Sequence, residues 1–109
     1  MISNYWTTMP NWNKFKGHFL ELDKKFPSEF EITKIEGSKY WGQGQDQAGK
    51  FTVEFELKNG SKLEGSKKYP LYLIKWNGTY SLKEKNLLTV EGTWSFNTSK
   101  GSFYYTVEQ

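Results

Sequence analysis

The sequence predicts an all-β fold: an antiparallel up-and-down barrel of about eight strands behind a short irregular or helical N-terminal segment. Three observations predict it. From residue 28 onward apolar and polar residues alternate with period two. The runs are separated by Gly- and Asn-rich turn signals. Nowhere between them is there room for the crossover helices that parallel strands require. A two-sheet sandwich is the alternative closure. The expected division is an aromatic segment over 1–14 and a barrel over 15–109.

Taken in order, the first third is the least regular. Tyr5, Trp6 and Trp12 make the opening "NYWTTMPNW" aromatic, suited to plugging a barrel end or packing on another subunit. A helical turn around Asn11 to Lys16 would be too short to be stable alone. "FKGHFLEL" reads as a strand, and so does "SEFEITKIEG". In the latter Phe30 and Ile32 share a phase that Ile35 breaks, which predicts a bulge.

The stretch "WGQGQDQAGKF" reads as a strand end, a turn over Asp46 to Gly49, and the start of the next strand. "KFTVEFELK" places Phe51, Val53, Phe55 and Leu57 inward and Thr52, Glu54 and Glu56 outward. Asn59-Gly60 then signals a hairpin, and "SKLEGSKKY" returns as a weaker strand with Gly65 a bulge candidate. After Pro70, "LYLIKWNGTYSL" sets Tyr72, Ile74, Trp76 and Tyr80 on one face. Within it Asn77-Gly78 is either a second tight turn or a bend in a long strand. "NLLTVEGTWSF" aligns Leu88, Val90, Gly92, Trp94 and Phe96, and "SFYYTVE" turns Phe103, Tyr105 and Val107 inward.

Composition narrows the function classes. The chain has 109 residues, enough for one modest core, and 18% of them are aromatic, which buries much area per residue. No cysteine is present, which removes disulfides, thiolate nucleophiles and cysteine metal sites. That absence, with an opening that lacks the basic and apolar regions of a signal peptide, leads to the expectation of a cytoplasmic protein. No run is long enough for a membrane-spanning helix. The net charge of +3 comes from lysine alone, with no arginine. Without the bidentate guanidinium fork, sequence-specific nucleic-acid recognition is not expected.

Gly44, Gly49 and Lys50 have the G-x-x-x-x-G-K spacing of a phosphate-binding loop, but Phe51 replaces the hydroxyl and a strand replaces the helix. The helix N-terminus that would hold phosphate is therefore missing. His18, the only histidine, would need Asp23 or Asp46 for a triad, and no serine sits in a nucleophile elbow. One histidine with scattered carboxylates has no zinc-ligand spacing. No enzyme signature, metal site or cofactor is expected. The sequons at Asn59, Asn77 and Asn97 matter only in a secreted chain.

One ordered set of short motifs runs from roughly Phe15 to Val107. It comprises Gly42, Gly44, Asp46, Gly49 and Phe51; Lys67 and Tyr69; Trp76 and Gly78; Gly92 and Trp94; Gly101 and Phe103. In this order and spacing the chain resembles small bacterial barrels of the lipocalin-like and avidin-like (calycin) kind. The resemblance implies the barrel and leaves the ligand open, since one fold carries many functions. The biotin-binding set of avidins is not matched residue by residue.

What remains is an aromatic surplus. A barrel of this size is just wide enough for side chains to fill, so a solid core is one reading. The other is an aromatic cup for a small planar or anionic molecule, such as a nucleotide-derived signal, sensed or sequestered without turnover. The expected ligand-binding residues are Trp41, Gln43, Lys67, Tyr69, Tyr72, Trp76, Tyr80, Trp94 and Tyr105, with Gln45 helping to orient the ligand and Lys67, Lys68 or Lys75 meeting a negative group. A solidly packed module that binds a protein partner or assembles with itself as a homo-oligomer is the alternative.

Overall fold

The computed structural model describes residues 14–83 and 87–108. Eight strands run in chain order: β1 (Lys14–Glu21), β2 (Lys24–Glu36), β3 (Lys39–Asp46), β4 (Gly49–Lys58), β5 (Lys62–Lys68), β6 (Leu73–Lys83), β7 (Leu87–Phe96) and β8 (Ser99–Glu108). Each pairs antiparallel with the next, and β8 returns to β1, so the sheet closes with no free edge. The expected barrel is present and the sandwich is not. The aromatic residues Tyr5, Trp6 and Trp12 lie outside the described residues. Residues 14–16 of the expected helical turn are strand, because Phe15 belongs to the inward row of β1 and pairs with Phe30.

Period-two alternation fixes which side chains fill the barrel. Phe15, Phe30, Phe55, Trp76, Phe103 and Tyr105 project inward and are almost completely buried. Their rings interlock at mid-height: Phe15 stacks on Phe30 at 4.8 Å, Trp76 stacks on Phe103 at 4.6 Å, and Phe30 meets Tyr105 edge-on at 5.0 Å. Such pairs add about 0.5–1.5 kcal/mol each beyond the area they bury. Towards one end Tyr40 stacks on Phe55, with Leu63, Leu88, Val90 and Val107 filling the space around them.

The phase break in β2 is a bulge, with the register against β3 shifting between Ile32 and Lys34. Thr33 uses its hydroxyl there to donate to the Trp41 carbonyl at 3.3 Å. Gly65 is not a bulge; it pairs regularly with Phe55. Asn77-Gly78 is a bend inside β6, not a turn. Gly78 lies directly opposite Gly92, and a Cβ on either would fall about 2 Å from a carbonyl oxygen of the other strand. The barrel wall can curve this tightly only where both residues lack a side chain.

Two turns differ from expectation. Residues 59–61 form a three-residue connection whose left-handed positions are Gly60 and Ser61, one residue later than an Asn-Gly two-residue turn requires. Leu22 and Asp23 make an unannounced tight turn with φ of 51° and 67°. That turn lets β2 begin at Lys24, earlier than the sequence suggested. Pro27 sits just beyond the last β2–β3 pair, Ser28 with Asp46, where only β1 flanks it.

Candidate functional site

The turns at 22–23, 47–48, 69–72 and 97–98 gather at one end of the barrel, as the antiparallel order dictates. A cavity of about 230 Å³ opens there. Trp76 and Tyr105 close it from below, since both also touch the mid-barrel ring of Phe30. Phe19, Trp94 and Phe96 form the walls, and Glu21, Ala48 and Ser99 border the mouth. The Trp94 indole N–H donates to the Leu20 carbonyl at 3.0 Å, which fixes the ring. Tyr69 and Tyr72 reach over from the 69–72 turn, closed by a hydrogen bond from the Tyr69 amide to the Tyr72 carbonyl. The rings of Tyr69, Tyr72 and Phe96 follow one another at 5.0 Å spacings along the mouth.

Beside this cavity lies a buried polar cluster. Asp46 ends β3, and its carboxylate is wholly shielded from solvent. Lys67, near the end of β5, donates to it at 2.6 Å. The Tyr69 hydroxyl lies 2.7 and 2.9 Å from the two carboxylate oxygens, and the Ala48 amide donates at 2.9 Å. Ser28 adds a long contact at 3.4 Å and itself accepts from the Tyr105 hydroxyl at 2.9 Å. Transferring a carboxylate and an ammonium out of water costs several kcal/mol each, and only such dense hydrogen bonding offsets it. The Lys67 ammonium also lies 4.3 Å from the Phe51 ring centre and 4.5 Å from that of Phe19.

The protonation equilibria follow from this burial. Desolvation lowers the Lys67 pKa from the ordinary lysine value, while the hydrogen bond and charge of Asp46 act the other way. The Tyr69 hydroxyl is pushed well above the usual tyrosine value, first by burial and then by Asp46. Tyr105 moves in the same direction, mainly by burial, although its bond to Ser28 opposes the shift. Both tyrosines therefore stay protonated at neutral pH and act as hydroxyl donors.

The structure divides the residues singled out from the sequence. Lys67, Tyr69, Tyr72, Trp76, Trp94 and Tyr105 come together at the cavity. Trp41 and Gln43 do not, because their parity on β3 puts them on the outer face. Trp41 lies there against Lys34, whose Nζ is 4.8 Å from the ring centre. Gln43 and Gln45 border an open groove on the outside of the wall. Tyr80 points inward at the opposite end, where its hydroxyl donates to the Lys58 carbonyl at 2.9 Å. Lys67 is not a free cation awaiting an anion, since Asp46 already pairs with it. Lys68 and Lys75 are exposed on the outer face.

Sequence reasoning missed Asp46, Ser28, Phe19 and Phe96 as site residues. Asp46 was already among the short motifs with Lys67 and Tyr69, and these motifs are the pieces that meet. His18 stands on the outer face of β1 beside Tyr104, so it forms no triad with the inward-facing Asp46. Among the described residues, no three His, Asp or Glu side chains gather as a metal site. No helix among them is long and apolar enough to cross a membrane.

No family model matches the chain, and no curated protein matches it significantly. Solved structures do. A de novo designed fluorescence-activating β-barrel superposes with a TM-score of 0.61 at 13% identity, over 89% of this chain and 92% of the designed one. The redesigned barrel b11L5F_LGL gives 0.64 at 12% identity, over 91% of each chain. The redesigned barrel mFAP1, bound to DFHBI, gives 0.59 at 17% identity, over 91% of this chain and 94% of the other. At these identities the likeness is one of fold: this chain is an eight-stranded, closed, antiparallel up-and-down barrel.

Proposed function

We propose that this chain is a non-enzymatic binding barrel that senses or sequesters a small planar molecule in the cavity at its turn-rich end. The observation that carries the reading is a ring-lined hollow with one buried ion pair beside it, in a barrel otherwise filled with side chains. Aromatic faces accept planar ligands by stacking, and a few fixed polar groups orient them. Designed barrels of the same fold bind the small molecule DFHBI, which supports this use of the architecture. We place the chain beside calycin-like barrels on its ordered motif set and, having no cysteine, in the cytoplasm.

The volume argues for a ligand of one or two rings. At about 230 Å³ the cavity falls below the roughly 300–1,000 Å³ of drug-sized sites. A nucleotide-derived signal would enter by its base, with the remainder outside the mouth. Planarity outweighs negative charge as the criterion, because Asp46 neutralises Lys67 and Glu21 adds a further carboxylate at the mouth.

A second reading has its own observation. Leu22 and Leu71 are 89% and 93% exposed on the turns around the cavity, with Tyr72 and Leu73 partly exposed beside Leu71. Such a patch suits protein contact or self-association. Native mass spectrometry of protein purified from its own cells separates the two readings. The binding reading expects a monomer carrying one small retained molecule. A ligand-free oligomer, with no thermal shift across a panel of heteroaromatic metabolites and DFHBI, would refute it.

A further inference from the structure

We infer that Lys67 is a covalent capture site for a small aromatic aldehyde, held as a protonated imine against the Asp46 carboxylate. The inference rests on the cavity being a site for small planar molecules, as proposed above. Among the described lysines Lys67 alone is buried, at 3% exposure. It lines the cavity, and its Nζ lies over the rings of Phe19 and Tyr69, which line the cavity too. An aldehyde stacked among these rings would have its carbonyl carbon close to the amine.

The surroundings suit the condensation. A lysine amine becomes a useful nucleophile when desolvated in an apolar pocket. Burial already draws the Lys67 ammonium toward its neutral form. In the overall step the protonated amine and the aldehyde give a protonated imine and one water. A carbon–nitrogen bond forms, the carbonyl oxygen leaves, and two nitrogen-bound protons leave with it. One positive charge is present before and after, so the Asp46 counter-ion serves both states. Asp46 need not move, because Tyr69 and the Ala48 amide hold its oxygens independently of Lys67. The apolar walls disfavour the returning water that would hydrolyse the imine. No oxidant, metal or further reactant enters the balance.

Benzaldehyde with cyanoborohydride tests the inference on the intact protein, because reduction makes the imine permanent. Peptide mapping should find benzylation at Lys67 faster than at any exposed lysine by roughly tenfold or more. Benzyl alcohol, which cannot condense, should compete with this labelling and quench tryptophan fluorescence. Labelling spread over the exposed lysines with Lys67 spared would overturn the inference. If benzyl alcohol still quenches saturably in that case, the binding reading stands and only covalent capture fails. If neither compound acts at the cavity, both fall together. Comparison among lysines within one protein does not depend on any variant folding.

Discussion

Asp46 ties its own strand to β2, β5 and two turns, and its removal should be felt more than that of any surface carboxylate. Asp46→Asn keeps the shape but leaves the Lys67 ammonium buried without a counter-charge. Breaking a buried pair in this way costs about 3–5 kcal/mol, whereas replacing both partners with apolar groups is often close to neutral. Urea unfolding should therefore show Asp46→Asn strongly destabilised, and Asp46→Asn with Lys67→Met recovering most of the loss. An equal loss in both variants would mean the pair contributes little beyond its packing. The sequence made Lys67 and Tyr69 legible through their spacing and parity. It did not reveal Asp46 as their partner, because alternation assigns a face but not a height. The registers of β3 on β4 and β4 on β5 set Lys67 across from Val53 and Gly42, four residues short of Asp46, and the reach of the lysine side chain closes that gap.

At the level of strands, alternation was the dependable signal. The inward rows of β4, β6, β7 and β8 are those their apolar residues announce, and the bulge in β2 follows from the phase change between Ile32 and Ile35. Glycines were harder to read, since a bulge, a bend and a close strand approach all favour the same residue. Gly65 and Gly78 turned out to be close approaches, and so is Gly44. A Cβ on Gly44 would lie 2.2 Å from the Glu29 carbonyl oxygen and 2.8 Å from both the Phe30 Cβ and the Phe51 ring. Gly44→Ala should thus destabilise the barrel by about 1–3 kcal/mol, the usual cost of overpacking, read as a lower Tm with the β-sheet spectrum retained. An unchanged Tm would show that β2 and β3 can separate at this point. The Leu22–Asp23 turn left little trace in the sequence because Leu22 is not a usual left-handed residue and no glycine marks the turn.

For the molecule as a whole, closure of β8 on β1 removes the sheet edges through which strands aggregate. The two ends then differ. One is filled by Tyr40, Leu63, Leu88 and Val107, and the other is hollow under the turns. The sequence showed more aromatics than it could assign to core or cup, and the structure uses them for both. Trp76 belongs to the mid-barrel stack and to the cavity floor at once, which is why counting rings did not distinguish a packed barrel from an open one. Trp41 was misassigned for a simpler reason: one step along β3 exchanges inside for outside.

The central claim is that this hollow binds a small planar molecule. An amide-resolved nuclear magnetic resonance titration with DFHBI tests it most directly. The account predicts saturable shifts at the Ala48 amide, the Trp94 indole N–H and the backbone of Tyr69 and Tyr72. Shifts centred on Gln43, Gln45 and Lys50 along the outer groove, or none at any concentration, would contradict it.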